Sequence, residues 1–140
     1  MADISRLMRR AFEQRLEGPL TLAKARALVF VASHEGIRQV DLAELLNVQP
    51  ITLARLLDQL EGAGLVERRP DPDDRRAHQI FLQPAAASHL EVIGKVVVGI
   101  RADALRDMDE GQTALVIQAL RRMRANLAVP VKNKSESVSP

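Results

Sequence analysis

Two short runs with helical apolar spacing, Val40 to Leu46 and Pro50 to Gly62, are separated only by Asn47, Val48 and Gln49. Two short helices joined by so tight a turn read as the helix-turn-helix unit. Asn47 ends the first helix, and Pro50 suits the first turn of the second, where its missing N–H would be unpaired anyway. In the first helix Val40, Leu42, Ala43, Leu45 and Leu46 are expected to form the buried side. In the second, Leu53, Leu56, Leu57 and Leu60 follow the i, i+3, i+4, i+7 rule, with Thr52, Arg55 and Gln59 on the opposite side. Gly62 and Gly64 end it.

Around this unit the sequence predicts four more helices. The first runs from Ile4 to Leu16 and is stopped by Gly18 and Pro19. The next starts after Thr21, a good N-cap, and runs to His34 and Gly36. After Pro84, helices are expected from about Ala85 to Met108 and from about Glu110 to Leu127. Between these groups, LVERR and QIFLQ have strand character and flank PDPDDRRAH, a turn-forming segment, so a two-stranded antiparallel wing is expected. The tail, residues 130–140, is expected to be disordered. The fold class is therefore mainly α with a small antiparallel β wing. It forms one domain over residues 1–129, with a winged helix-turn-helix at about 37–83 and outer helices at about 4–17 and 85–127. Val92, Ile93, Val96, Val97, Ile100 and Leu105, with Leu115, Ile117, Leu120 and Met123, are too apolar for solvent-facing rods, and a second subunit is the simplest partner for them.

Composition narrows the function. Aromatic residues make up 2% of the chain, all of them Phe, so stacking platforms for single-stranded nucleic acid are lacking. There is no cysteine, which excludes disulfides, thiolate metal sites and cysteine redox sensing and suits a reducing cytosol. No secretory signal or membrane span is legible, and a soluble, cytoplasmic protein is expected. His34, His78 and His89 fit no local metal-ligand spacing, and no metal or cofactor is expected. No nucleophile elbow, phosphate-cradling glycine loop or HExxH occurs, so no enzyme is expected.

A net charge of only +2 cannot by itself hold DNA. Positioned groups must do so. Thr52 and Arg55 match what a helix in the major groove needs, a short polar group near its start and a longer donor a turn later, and Ile51 can pack on a thymine methyl. The N-terminal N–H groups near Pro50 favour a phosphate. The same features would also suit a plain amphipathic helix with a solvated polar face. At the wing tip Arg75 and Arg76 could reach a narrow minor groove, with Asp74 aiming the Arg76 guanidinium. A turn charged for solubility would look similar, because Arg68, Arg69, Arg75 and Arg76 are balanced by Glu67, Asp71, Asp73 and Asp74.

In order and spacing, LAELL, TLARLLDQLEGAGLVERR and DPDDRRA resemble the MarR family of winged helix-turn-helix regulators, especially the branch typified by SlyA. The resemblance covers roughly residues 4–127 and is densest from Val40 to Leu82. It implies a homodimer on double-stranded DNA, commonly a repressor. The recognition helices would enter successive major grooves through Pro50, Ile51, Thr52, Arg55 and Gln59. The wings would reach flanking minor grooves through Asp74, Arg75 and Arg76, and Arg38 and Gln39 would contact the backbone.

Two departures stand out. Gln83 and Pro84 replace the family's usual helix-capping Thr, and the N-terminal part of the dimer module looks short. Many family members also respond to small aromatic carboxylates or phenols. Arg10, Arg15, Lys24 and Arg26, near Phe12, Leu28 and Phe30, are the candidate cations for such an effector, though an exposed or interface charge is the simpler account of each. The competing function is a winged-helix module for protein–protein assembly, for which an Asp-ordered arginine at a hairpin tip would serve little purpose.

Overall fold

The computed structural model describes residues 1–128; the tail expected to be disordered lies outside the described residues. The helices are α1 (Ala2–Arg15), α2 (Leu22–Ser33), α3 (Gln39–Leu46), α4 (Pro50–Gly62), α5 (Ala86–Ala104) and α6 (Glu110–Ala128). The strands are β1 (Ile37–Arg38), β2 (Val66–Pro70) and β3 (His78–Leu82). Packing divides the chain into two compact units, residues 1–101 and residues from 102 onward. No described helix is long and apolar enough to cross a membrane.

In the first unit the core is built where α2, α3, α4 and the sheet meet. Leu28, Leu42, Leu53, Leu57, Leu60, Val66 and Ile80 are fully or almost fully buried there. At roughly 1.5–3 kcal/mol per buried aliphatic side chain, this cluster supplies the main drive to fold. Local chemistry places the helix boundaries. The Thr21 side chain accepts the Lys24 N–H at 3.3 Å and so caps α2. Asn47 takes the left-handed conformation at φ 54°, which ends α3 and turns the chain toward Pro50.

The wing has a third strand that the sequence did not signal. The sheet order is β1-β3-β2, all antiparallel, with Ile37 opposite Ile80, Arg38 opposite Gln79 and Arg68 opposite Ile80. A strand of two residues carries no alternation to read. Gly36 makes it fit: at φ +86° its N–H reaches the Ile80 carbonyl at 2.9 Å, and a Cβ there would sit 3.4 Å from the Phe81 ring.

Burial corrects two further expectations in α3. Val40 and Leu45 are exposed, at 69% and 43%, leaving Leu42, Ala43 and Leu46 as its buried side. With five apolar residues in a helix of two turns, some must lie outside any single packing face. Leu56 is only partly buried at the edge of the core.

α5 ends at Ala104 rather than near Met108. Asp107 takes φ 69°, and Asp109 then starts α6 through a reciprocal cap: its carboxylate accepts the Gln112 N–H at 2.8 Å while Gln112 Oε1 accepts the Asp109 N–H at 3.1 Å. The capping Thr missing before α5 is not replaced in kind. Gln83 instead donates its side-chain amide to Glu67 at 3.1 Å, tying β3 to β2.

Candidate nucleic-acid interface

Six arginines lie in residues 37–83, and what each one touches separates folding from function. Arg68 is drawn inward from β2. Its guanidinium pairs with Asp58 and with Glu61 of α4, and its backbone N–H donates to Glu61 at 3.0 Å. The backbone N–H and then the guanidinium of Arg68 hold the Glu61 carboxyl below its ordinary range, while hydrogen bonding to Asp58 raises the pKa of Arg68. Arg69 pairs with Glu67 at 3.0 Å and lies over the Phe81 ring with Cζ 4.1 Å from the centroid. Arg38 pairs with Asp71 at 2.7 Å. These three arginines fasten the wing to the helices and to itself.

Arg55, Arg75 and Arg76 differ. All three are exposed, and none makes an ion pair among the described residues. Arg55 shares the outer face of α4 with Thr52 and Gln59, while Leu53, Leu57 and Leu60 hold the opposite face in the core. Ile51, 62% exposed, stands at the start of the same helix. Pro50 opens α4 with no side-chain cap, so the first-turn N–H groups stay available to an acceptor.

The wing turn is built by its aspartates. Asp71 N–H bonds to the Ala77 carbonyl at 3.0 Å, and Ala77 N–H to the Asp74 carbonyl at 3.0 Å. Asp71 Oδ1 accepts the Asp73 N–H at 2.8 Å, and Asp74 Oδ1 accepts the Arg76 N–H at 3.0 Å. The sequence suggested that Asp74 aims the Arg76 guanidinium. In the structure its bond goes to the Arg76 backbone, so Asp74 fixes the turn from which the arginine projects.

Arg38, Gln39, Pro50, Asp74 and Arg76 come together along one groove, between the starts of α3 and α4 and the wing turn, with exposed Val40 beside them. Thr52, Arg55 and Gln59 line a second depression with Arg26 of α2. Of the other proposed effector cations, Lys24 donates to the Pro19 carbonyl at 3.4 Å, the Arg15 guanidinium packs 3.0 Å from the position of a Cβ on Gly99, and Arg10 is exposed on α1. His34 and His89 each bond a backbone carbonyl one turn earlier, Phe30 at 3.1 Å and Ala85 at 3.3 Å.

Asp71 is the charged residue that the sequence did not single out. It is 4% exposed, and the Asp73 N–H first, then the Arg38 charge, hold its carboxyl below the ordinary aspartate range against the opposing effect of burial. Glu67 is lowered likewise, chiefly by Arg69. A carboxylate lowered in the folded state adds stability that is fully present above its unfolded value and is lost as pH falls through its folded value. Denaturation experiments are therefore expected to show level stability from about pH 7 to pH 5 and a decline between about pH 5 and pH 2. Asp71→Asn should make that decline shallower, and an unchanged slope would contradict the role given to Asp71.

Known proteins bear on this geometry. Residues 20–78 match the family model described as MarR family. The crystal structure of the transcriptional regulator PA3341 is 39% identical, with a TM-score of 0.75 and coverage of 90% of this chain and 93% of that one. The transcriptional regulator SlyA is 25% identical at a TM-score of 0.75, covering 90% and 92%. A mutant MarR from E. coli, complexed with operator DNA, shares the fold at 23% identity and a TM-score of 0.73, covering 87% and 89%. The outward-facing α4, the three-stranded wing and the matched sequence agree: the chain belongs to the MarR family, a family of DNA-binding transcription regulators and not of enzymes.

Proposed function

We propose that this protein is a sequence-specific, homodimeric repressor that holds double-stranded DNA with α4 in the major groove and the wing in the flanking minor groove. The observation that carries this is the division among the arginines. Arg38, Arg68 and Arg69 are consumed by the fold, while Arg55, Arg75 and Arg76 stand exposed on the two elements that the geometry sets outward. Unpaired guanidiniums on a helix face and a hairpin tip suit guanine edges, phosphates and a narrow minor groove. A mutant E. coli MarR of the same fold has been crystallised in complex with operator DNA, which supports duplex DNA as the ligand.

Within this reading Thr52 and Gln59 add polar contacts beside Arg55, Ile51 meets a thymine methyl, and Gln39 and Pro50 lie against the backbone. Residues 1–129 act as one functional domain, in which 4–17 and 85–127 serve dimerisation. Ile4, Leu7 and Met8 on α1 are exposed at helical spacing, as are Leu120, Met123 and Leu127 on α6, and a second copy would cover them. The protein would work in the cytoplasm, with no membrane partner. For an aromatic carboxylate or phenolic effector, Arg26 is the best placed of the four candidates. It shares a depression with Arg55, walled partly by Leu46, Val48 and Leu56, so an anion held there would compete with DNA.

Titration against duplexes from its own promoter at several salt concentrations tests the proposal. The three arginines that α4 and the wing leave without an ion pair among the described residues, doubled by symmetry, predict a log–log salt slope of about −5. Weak binding with a flat slope and no sequence preference would favour the protein–protein assembly module instead.

A further inference from the structure

Among the described residues Asp71 is the one charged residue that the fold buries, and no DNA contact requires it to be there. Its polar groups reach in three directions. The N–H closes the wing loop on Ala77, Oδ1 takes the Asp73 N–H, and Oδ2 lies 2.7 Å from Nε of Arg38. Arg38 belongs to a different part of the fold. It ends β1, pairs with Gln79 of β3 and immediately precedes α3. The ion pair thus joins the wing loop to the start of the helix-turn-helix.

Its two ends are unequal. The Asp71 side chain is 2% exposed and the Arg38 side chain 49%. A buried carboxylate is tolerated only while its partner stays in place, and Oδ2 has no aligned hydrogen bond apart from that ion contact. The wing loop can therefore keep Asp71 both charged and buried in a narrow range of placements relative to α3. Asp74 and Arg76 lie in the same loop, so that range fixes where the tip arginine starts.

We infer that the Arg38–Asp71 pair is a positioning device that sets the wing tip relative to α4, and that Arg38 acts through the wing rather than chiefly as a phosphate contact. The inference rests on the DNA-binding reading above and makes a prediction that charge alone reverses. Asp71 is a negative group near a polyanion, so neutralising it should strengthen binding if charge were all that mattered. A positioning role predicts weaker binding.

The test uses the full chain with Asp71→Asn, Arg38→Gln, the double variant and Arg38→Lys. Amide hydrogen exchange on the free protein comes first. Asp71→Asn and Arg38→Gln are expected to speed exchange at Asp73, Arg76 and Ala77 about tenfold while leaving α4 unchanged. Titration against a duplex bound by the wild type comes second. Each single variant is expected to bind about tenfold more weakly, with the double no weaker than either single and Arg38→Lys partly restored.

Unchanged exchange in the wing of Asp71→Asn would overturn the inference. So would an Asp71→Asn variant that binds as tightly as wild type while Arg38→Gln alone weakens binding and flattens the salt slope, because Arg38 would then be a direct phosphate contact. If the wild type bound no duplex, the DNA-binding reading would fall, and the exchange data would still decide whether the pair holds the wing.

Discussion

Replacing Arg76 by Ala is expected to weaken operator binding by about 1–3 kcal/mol at each wing, and so by roughly 2–6 kcal/mol for a symmetric dimer. The side chain is exposed, its backbone is held by Asp74 at 3.0 Å, and no ion pair among the described residues competes for its guanidinium. Its removal leaves the turn intact, because the bond that builds the turn uses the backbone N–H. The loss should therefore appear in binding and not in stability. Base preference at the centre of each half-site should survive, while preference for A·T-rich flanks, where the minor groove is narrow, should fall. Arg55→Ala is expected to weaken binding comparably but to relax preference at one major-groove position. Electrophoretic or fluorescence titration against a panel of duplexes separates the two. Equal affinity for wild type and both variants would remove the basis for placing α4 and the wing on DNA.

The largest effect on the fold is expected from Leu57→Ala. Leu57 has no exposure, and Leu53, Leu60 and the rest of the core surround it, so truncation should cost about 2–5 kcal/mol. Against a total of about 5–15 kcal/mol for a domain, that approaches unfolding. In urea the midpoint should drop sharply with an unchanged m value. Ile51→Ala, on the same helix but 62% exposed, should leave the midpoint within about 0.5 kcal/mol of wild type while weakening DNA binding. Identical midpoints for Leu57→Ala and wild type would mean that α4 does not pack by this face.

The difference between Leu57 and Ile51 shows what could be read from residue order. The faces of α4 were legible because four leucines keep helical spacing and Pro50 marks the start. The turn was legible because Asn tolerates the left-handed conformation that Asn47 takes. In α3, residue type could not choose a face among five apolar side chains, and Val40 and Leu45 were misplaced. The overlong fifth helix came from reading helix through Leu105 to Met108, a stretch in which Asp107 takes the left-handed conformation that residue type alone did not signal.

The site was legible as a set of residue types and less so as a set of contacts. Asp74 and Arg76 are two apart, a spacing that suits both a guanidinium pair and an aspartate turn, and only the backbone geometry distinguishes them. The pairing of Arg38 with Asp71 was hidden because it depends on β1, too short to signal itself, lying beside β3. Which arginines are free follows from which are tied, and that is a tertiary fact.

The central claim is that two copies of this chain read DNA through α4 and the wing, and footprinting tests it most directly. Hydroxyl-radical protection of a promoter fragment should reveal two symmetric half-sites about one helical turn apart, each with a protected minor groove on its outer flank that is lost in Arg76→Ala. A single asymmetric footprint, or protection without sequence preference, would contradict it.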